Sequence, residues 1–467
     1  MSGPMALEPG GTEQDTLALR LAGTPVRGRR GDDHTLALRL PGHGPDEEAV
    51  SRLAAELADC IGPAVHPYEV AALLEAEGMS ADLIRERYGH PSLFSLATAL
   101  YEQVPRAFPE PARAADPWRP DHVRCLLRGV LFALPGLAYL LTAPLWHPGR
   151  HATALIVAGL VSWAWGQALG HRAHLRMAGG RREAARTLLA GAPVGAALAT
   201  AAAVPSADGG PVILAAAAQS LYLAAAGVLL VLARERPLLA ALTPLIAGAA
   251  VLPWWEPGPL LRAGLPLLAL GATLAVTGHA LHRAHAAPAA PDGRRPRLQW
   301  SLPYGLFGLA AGLLVLLEGR REPYAVIVLT VSMGPAEWLL YRYRGLSVAA
   351  LRRAATPAGF LLRSAAVLGL CLLAYLVPLL PAALLTGAEP AALLLLAATL
   401  WTALLLQAFG AAWPPAAICL TAAGAACTAA FLHLPPGPLA LPLCCGAAAL
   451  CLVACTLRLL GRPARHA

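Results

Sequence analysis

Lysine is missing from this chain of 467 residues, so all 36 of its basic residues are arginine. With the bias toward alanine, glycine, leucine and proline, this points to the codon usage of a GC-rich, actinobacterial genome and carries no mechanism. Acidic residues are scarce where the chain is most apolar. Of the 28 Asp and Glu, 19 precede residue 122, leaving nine for the remainder. A soluble domain of that length needs more charge to cover its surface. The nine cysteines include no Cys-x-x-Cys pair, and Cys419, Cys427, Cys444, Cys445, Cys451 and Cys455 crowd the last two apolar stretches. They read as small, soft helix residues rather than a metal or disulfide framework. There is no Walker loop, dinucleotide fingerprint, nucleophile elbow or zincin helix. That argues against an enzyme and against an ATP-driven pump in one chain, and no cofactor or metal is expected. No basic stretch followed by an apolar core opens the sequence, so no signal peptide is expected and the first membrane helix serves as the insertion signal.

What is abundant is hydrophobicity: 57% of residues are hydrophobic and 14% charged, with a mean hydropathy of +0.55. The expected fold class is all-α, a polytopic membrane helix bundle of about 12 spans behind a small soluble N-terminal helical region. The net charge of +8 does not indicate nucleic acid, because the arginines sit in short loops beside apolar runs, where they fix membrane topology.

The N-terminal region divides in three. Residues 1–45, rich in Gly, Pro, Asp and Arg, are expected to be disordered. They hold an echo, Thr-Leu-Ala-Leu-Arg-Leu, at 16–21 and 35–40. Its period-two alternation suits two paired strands or a segment that orders on a partner, and low-complexity coincidence accounts for it as well. Residues 46–104 read as a helical bundle. Val50, Leu53, Leu57 and Ile61, then Val70, Leu73 and Leu74, recur at helical spacing, and a last helix carries Leu93, Leu96, Leu100 and Tyr101. Gly78 and Gly89 punctuate these helices and Ser80 is placed as an N-cap. So small a core favours docking on a partner protein or on the membrane domain. A proline-rich linker occupies 105–122.

From 123 to 460 apolar stretches near 20 residues recur, the length that crosses about 30 Å of hydrocarbon. They fall at 123–146, 152–170, 184–204, 211–233, 237–253, 259–281, 300–317, 323–342, 357–381, 390–409, 411–432 and 437–459. With both termini cytoplasmic, including the tail at 461–467, arginine accumulates in alternate loops as the positive-inside rule requires. Only the loop near Gly410 lacks the expected charge. The basic loop Arg283 to Arg297 divides the spans six and six. Gly180-Arg-Arg-Glu-Ala-Ala and Gly345-Leu-Ser-Val-Ala-Ala, after spans two and eight, share Gly-x-x-x-Ala-Ala at matching places, as duplicated halves do.

The Gly179-Gly-Arg-Arg-Glu-Ala-Ala-Arg186 segment resembles the loop that opens the third helix in the multidrug/oligosaccharidyl-lipid/polysaccharide flippase superfamily. The resemblance implies two six-helix lobes around a central cavity and alternating access for a lipid-linked or amphipathic substrate. It covers the membrane domain as an architecture and about ten residues as a motif. The Glu-Gly-Met and Arg-Tyr-Gly-His segments of the N-terminal region resemble a small helical module ahead of other actinobacterial membrane proteins, which assigns no activity.

Ionisable residues within a span are functional candidates by default. Glu337, after the helix-kinking pair Gly334-Pro335, reads either as a coupling carboxylate or as the partner of Arg342 or Arg344. Arg128 and Arg363 lie one to two turns inside their spans. They either face a cavity, where a guanidinium grips a pyrophosphate headgroup, or snorkel to the interface. Gln167, Gln219 and Gln407 serve interhelical hydrogen bonds or touch substrate. His279, His282 and His285, with His171 and His174, read as basic helix caps, and Trp146, Trp254, Trp255 and Trp300 as interfacial anchors. The expected function is a flippase-like transporter of a lipid-linked glycan precursor or other amphipathic envelope component in the cell membrane. The alternative is a non-transporting scaffold that recruits cytoplasmic partners through 46–104 for envelope or polysaccharide assembly. A membrane-embedded glycosyltransferase is disfavoured by the short outer loops, whose acidic residues are scattered.

Overall fold

The computed structural model describes residues 46–105, 121–145, 148–288, 296–354 and 356–461. The echo at 16–21 and 35–40, the linker at 106–120 and the tail beyond 461 lie outside the described residues. The chain forms two compact units, one N-terminal and one from Trp118 onward.

The N-terminal unit packs α1 (Glu47–Glu56), α2 (Ala58–Ile61), α3 (Pro67–Ala76), α4 (Ala81–Tyr88) and α5 (Leu93–Gln103). The caps written in the sequence form. The Ser80 hydroxyl accepts the Leu83 N–H and the Ser92 hydroxyl the Ser95 N–H, both at 3.2 Å, satisfying amide groups that a helix start leaves bare. Gly78 and Gly89 take positive φ angles of 75° and 65° between helices, a conformation that favours glycine. Leu74, Ile84, Leu96 and Leu100 are fully buried in a core that is continuous through the unit.

The membrane unit is all helical. α6 (His122–Ala133) and α7 (Gly136–Thr142) make span one, followed by α8 (Pro148–Met177), α9 (Arg181–Ala203), α10 (Gly210–Val231), α11 (Glu235–Ala241), α12 (Thr243–Val251) and α13 (Pro259–His285). The second half holds α14 (Leu302–Arg321), α15 (Pro323–Val331), α16 (Met333–Arg353), α17 (Pro357–Thr386), α18 (Pro390–Ala408), α19 (Trp413–Phe431) and α20 (Ala440–Leu460). Ten described helices have the length and apolarity to cross a membrane, and α15 with α16, bent by 42° at their junction, pass the same test together. The short pair α11 and α12 lies outside that count. Glu235, at its start, bonds Arg124 at the start of α6, whereas Arg262, just after it, donates to the Leu141 carbonyl at the far end of span one. The intervening chain therefore crosses the bundle. Pro244, at the head of α12, lacks the N–H that an unbroken helix needs there. Large apolar side chains face outward, among them Leu260, Leu385 and Phe431, each at least 87% exposed. This is the pattern of helices whose solvent is lipid. Trp254, Trp255 and Trp300 are exposed at helix ends.

The halves meet through a reciprocal pairing, α6 against α15 and α16, and α14 against α8. Small residues allow both contacts. A Cβ built on Gly129 would lie 3.0 Å from the Gly334 nitrogen, and one on Gly308 would lie 2.7 Å from Gln167 Cγ. Such approaches replace the hydrophobic drive that helices lack inside lipid.

Two expectations need correction. Gly345 and its following alanines are not a loop, because α16 runs on to Arg353; Gly180 caps the start of α9, so the shared Gly-x-x-x-Ala-Ala occupies unlike places. Span seven does not stop at 317. α14 continues to Arg321 and carries Glu318 into the interior, 1% exposed.

Candidate functional site

Call the end of the bundle at which α6 begins the entry end. There the Asp121 carboxylate accepts the Arg124 N–H at 3.1 Å and starts α6, which places Arg124 and Arg128 on one face a turn apart. Arg128 reaches two carboxylates. Its Nη1 lies 2.5 Å from Glu337 on α16, and its Nη2 lies 2.8 Å from Glu235 on α11. Arg124 Nε bonds the same Glu235 oxygen at 2.8 Å. The Arg128, Glu235 and Glu337 side chains are at most 8% exposed. Two arginines and two glutamates form an electrically balanced cluster. An isolated charge in this interior is costly, and pairing offsets the cost.

The backbone brings these groups together. The closely approaching Gly129 and Gly334 follow Arg128 by one residue and precede Glu337 by one turn. The 42° bend before Gly334-Pro335 fulfils the kink expected of that pair. At the bend, the Ser332 hydroxyl donates to the Leu329 carbonyl at 2.8 Å and lies 2.9 Å from the Tyr375 hydroxyl. Trp401 Nε1 donates to the Ala336 carbonyl at 3.2 Å.

Further polar contacts join the halves at the entry end. The His171 ring stacks on Tyr304 at 3.7 Å, and its Nδ1 lies 3.1 Å from the Ser301 hydroxyl. Trp338 Nε1 donates to His122 Nδ1 at 2.9 Å. Beyond this layer, away from the entry end, lies a cavity of about 280 Å³ between the halves. Phe132, Trp163, Phe307, Tyr375 and Trp401 give it aromatic walls, Gln167 and Thr330 give it polar groups, and no lining residue is charged.

The structure sorts the sequence candidates. Arg128 and Glu337 meet directly, and the Arg128 guanidinium is occupied by carboxylates rather than open to a headgroup; Arg342 lies over the Trp338 ring and Arg344 over the Phe409 ring. Gln167 lines the cavity. Gln219 instead makes an interhelical bond within the first half, its Nε2 donating to the Leu155 carbonyl at 3.1 Å. Gln407 is buried in the second half with an unpartnered amide nitrogen. Arg363 is exposed on α17 and does not join the cluster, the arrangement expected of a snorkelling side chain.

Two buried carboxylates are not among the sequence candidates. Glu235 sits between Arg234 and Arg236, and its place before an apolar run marks a helix start. Glu318 lies two residues before a pair of arginines, Arg320 and Arg321. Both of its carboxylate oxygens are buried without a hydrogen-bond partner.

No protein-family model and no curated protein matches the chain. Among solved structures, it is similar to the crystal structure of MATE in complex with MaL6, at TM-score 0.45 and 13% identity, over 73% of this chain and 98% of that one. It is similar also to MATE in complex with Br-NRF, at TM-score 0.39 and 12% identity, over 73% and 98% of the two chains. MATE in the bent conformation gives TM-score 0.38 and 14% identity, over 73% and 92%.

Proposed function

We propose that the chain is a membrane transporter of flippase type, moving an amphipathic envelope component such as a lipid-linked glycan precursor by alternating access. The observation that carries this reading is the cavity of about 280 Å³ between the halves, bounded toward the entry end by the Arg128–Glu337 ion pair that joins those halves. A permanent scaffold has no need of an uncharged aromatic chamber behind a neutral four-charge seal. Ligand pockets usually run from about 300 to 1,000 Å³, so in this reading the cavity widens to admit a bulky cargo. Opening at the entry end requires Arg128 to leave Glu337 while Glu235 retains Arg124 as a partner. In this reading the arginine-rich loops place the entry end in the cytoplasm, and Glu318 is the site at which a proton or cation enters the cycle, because an uncompensated carboxylate in that interior is costly.

The test uses Thr330→Cys, a reporter on the cavity wall, in vesicles treated with a membrane-impermeant thiol reagent from either side. Glu337→Gln should raise labelling from the entry side severalfold, and transport of the labelled protein should stop. Equal, negligible labelling in both backgrounds would remove the gate from the argument. The scaffold reading makes the opposite demand on the N-terminus: loss of residues 1–115 abolishes a scaffold's role and leaves a transporter working.

A further inference from the structure

The N-terminal unit presents an apolar patch that its own core does not use. Val65, Tyr68 and Phe94 are 66%, 67% and 56% exposed. Tyr68 meets Phe94 edge to face at 5.6 Å, and His66 lies 4.5 Å from Tyr68 between ring centroids. These rings sit where the α3 and α5 starts come together, while the core runs behind them through Val70, Leu74, Leu96 and Leu100. Contiguous exposed aromatics on a small soluble unit mark a binding surface.

Charge states what kind of partner fits. Residues 46–104 hold eleven acidic residues and three basic ones. Glu69, beside Tyr68, keeps its carboxylate at the patch, where it accepts the Val65 N–H at 3.1 Å. The complement is a short segment with apolar side chains on one face and a positive charge on the other. The chain supplies one. In an extended conformation Thr35-Leu-Ala-Leu-Arg-Leu40 puts Leu36, Leu38 and Leu40 on one side and Arg39 on the other. The stretch from 16 to 40 carries five arginines against two aspartates.

We propose that the patch of Val65, Tyr68 and Phe94 is the docking site for the chain's own segment Thr35–Leu40. The tether permits it. Six chain steps lead from Leu40 to Asp46, which span about 20 Å when extended, and a unit of this size has a radius of gyration of roughly 10 Å. The leucine face covers the rings, and Arg39 turns toward the acidic surroundings of the patch. The earlier copy, Thr16–Leu21, has the same pattern but must close a longer loop, which costs more entropy.

Disulfide trapping in the full-length protein tests this. Cys60, the exposed thiol of the unit, is first replaced by serine. Leu38→Cys is then combined with Phe94→Cys, or with Glu56→Cys as a control on an exposed face of α1. Docking predicts an intramolecular disulfide with Phe94→Cys at least about tenfold faster than with the control, through the effective concentration a docked segment creates. Arg39→Glu should slow it, and a synthetic peptide of residues 33–42 should compete. Equal rates for both pairs would overturn the proposal. So would cross-linked dimers, which assign the patch to a second copy, or faster trapping by Leu19→Cys, which assigns it to the earlier segment. Tyr68→Cys replaces Phe94→Cys if that variant misfolds, and the same outcomes decide.

Discussion

The Arg128 guanidinium and the Glu337 carboxylate, 209 residues apart in sequence, lie 2.5 Å from each other across the seam between the two halves. Neither residue has its partner on a neighbouring helix in sequence, and neither is open to water. Arg128→Met strands Glu337 while leaving Glu235 with Arg124, so it should destabilise the protein by about 3–5 kcal/mol. Glu337→Gln leaves Arg128 bonded to Glu235 and should cost less. Adding Glu337→Leu to Arg128→Met should restore much of the loss. Melting temperatures of the four proteins in one detergent check the order.

A second prediction concerns the crossing that makes this pair possible. A Cβ at position 334 would stand 2.8 Å from the Cys125 carbonyl oxygen, whereas one at position 271 meets nothing within 4 Å. Gly334→Ala should therefore force α6 and α16 apart, with a loss in the range of about 1–3 kcal/mol typical of overpacking. Gly271→Ala should be neutral or stabilise by up to about 1 kcal/mol through helix propensity. Thermal unfolding of the two alanine variants separates these outcomes.

Glu318 supplies a third. Its carboxylate oxygens have no partner to lose, so Glu318→Gln should leave the fold intact or raise its melting temperature while abolishing ion-dependent transport in vesicles. A sharp fall in melting temperature would show instead that the carboxylate is a structural group.

The N-terminal unit gives a fourth contrast. Leu74→Ala and Leu100→Ala remove fully buried side chains and should each cost about 2–5 kcal/mol. Tyr68→Ala and Phe94→Ala change exposed rings and should stay within about 0.5 kcal/mol. Urea titrations followed by helical circular dichroism on the isolated unit read both.

The architecture was legible in sequence because lipid imposes a long, uniform signal. Apolar runs of the required length return as ten described helices, and the Gly334-Pro335 kink and the Ser80 cap follow from local chemistry alone. The site was harder to read. Arg128 and Glu337 stood out as charges inside apolar runs, but their pairing depends on the Gly129 crossing with Gly334, a long-range contact that no local pattern encodes. Glu235 and Glu318 sit beside arginines at the ends of apolar runs, where local pattern does not separate a buried carboxylate from a loop charge. In the structure Glu318 does not bond its nearby arginines: Arg321 turns to the Pro438 carbonyl and Glu389 instead. Gln219 and Gln407 could not be separated from Gln167 by type or depth, since only packing decides which amide reaches the cavity.

The balance within the entry-end cluster has an electrical consequence. Arg124, Arg128, Glu235 and Glu337 contribute equal numbers of opposite charges. Each elementary charge carried fully through a membrane potential of 100 mV involves about 2.3 kcal/mol. If the cluster moved with its charges intact, its opposing contributions would cancel to the extent that they crossed the same fraction of the field. Under the proposed transport cycle, voltage would then act chiefly on the cargo and on an ion at Glu318, leaving the mechanical opening of the halves largely indifferent to whether the cell is energised.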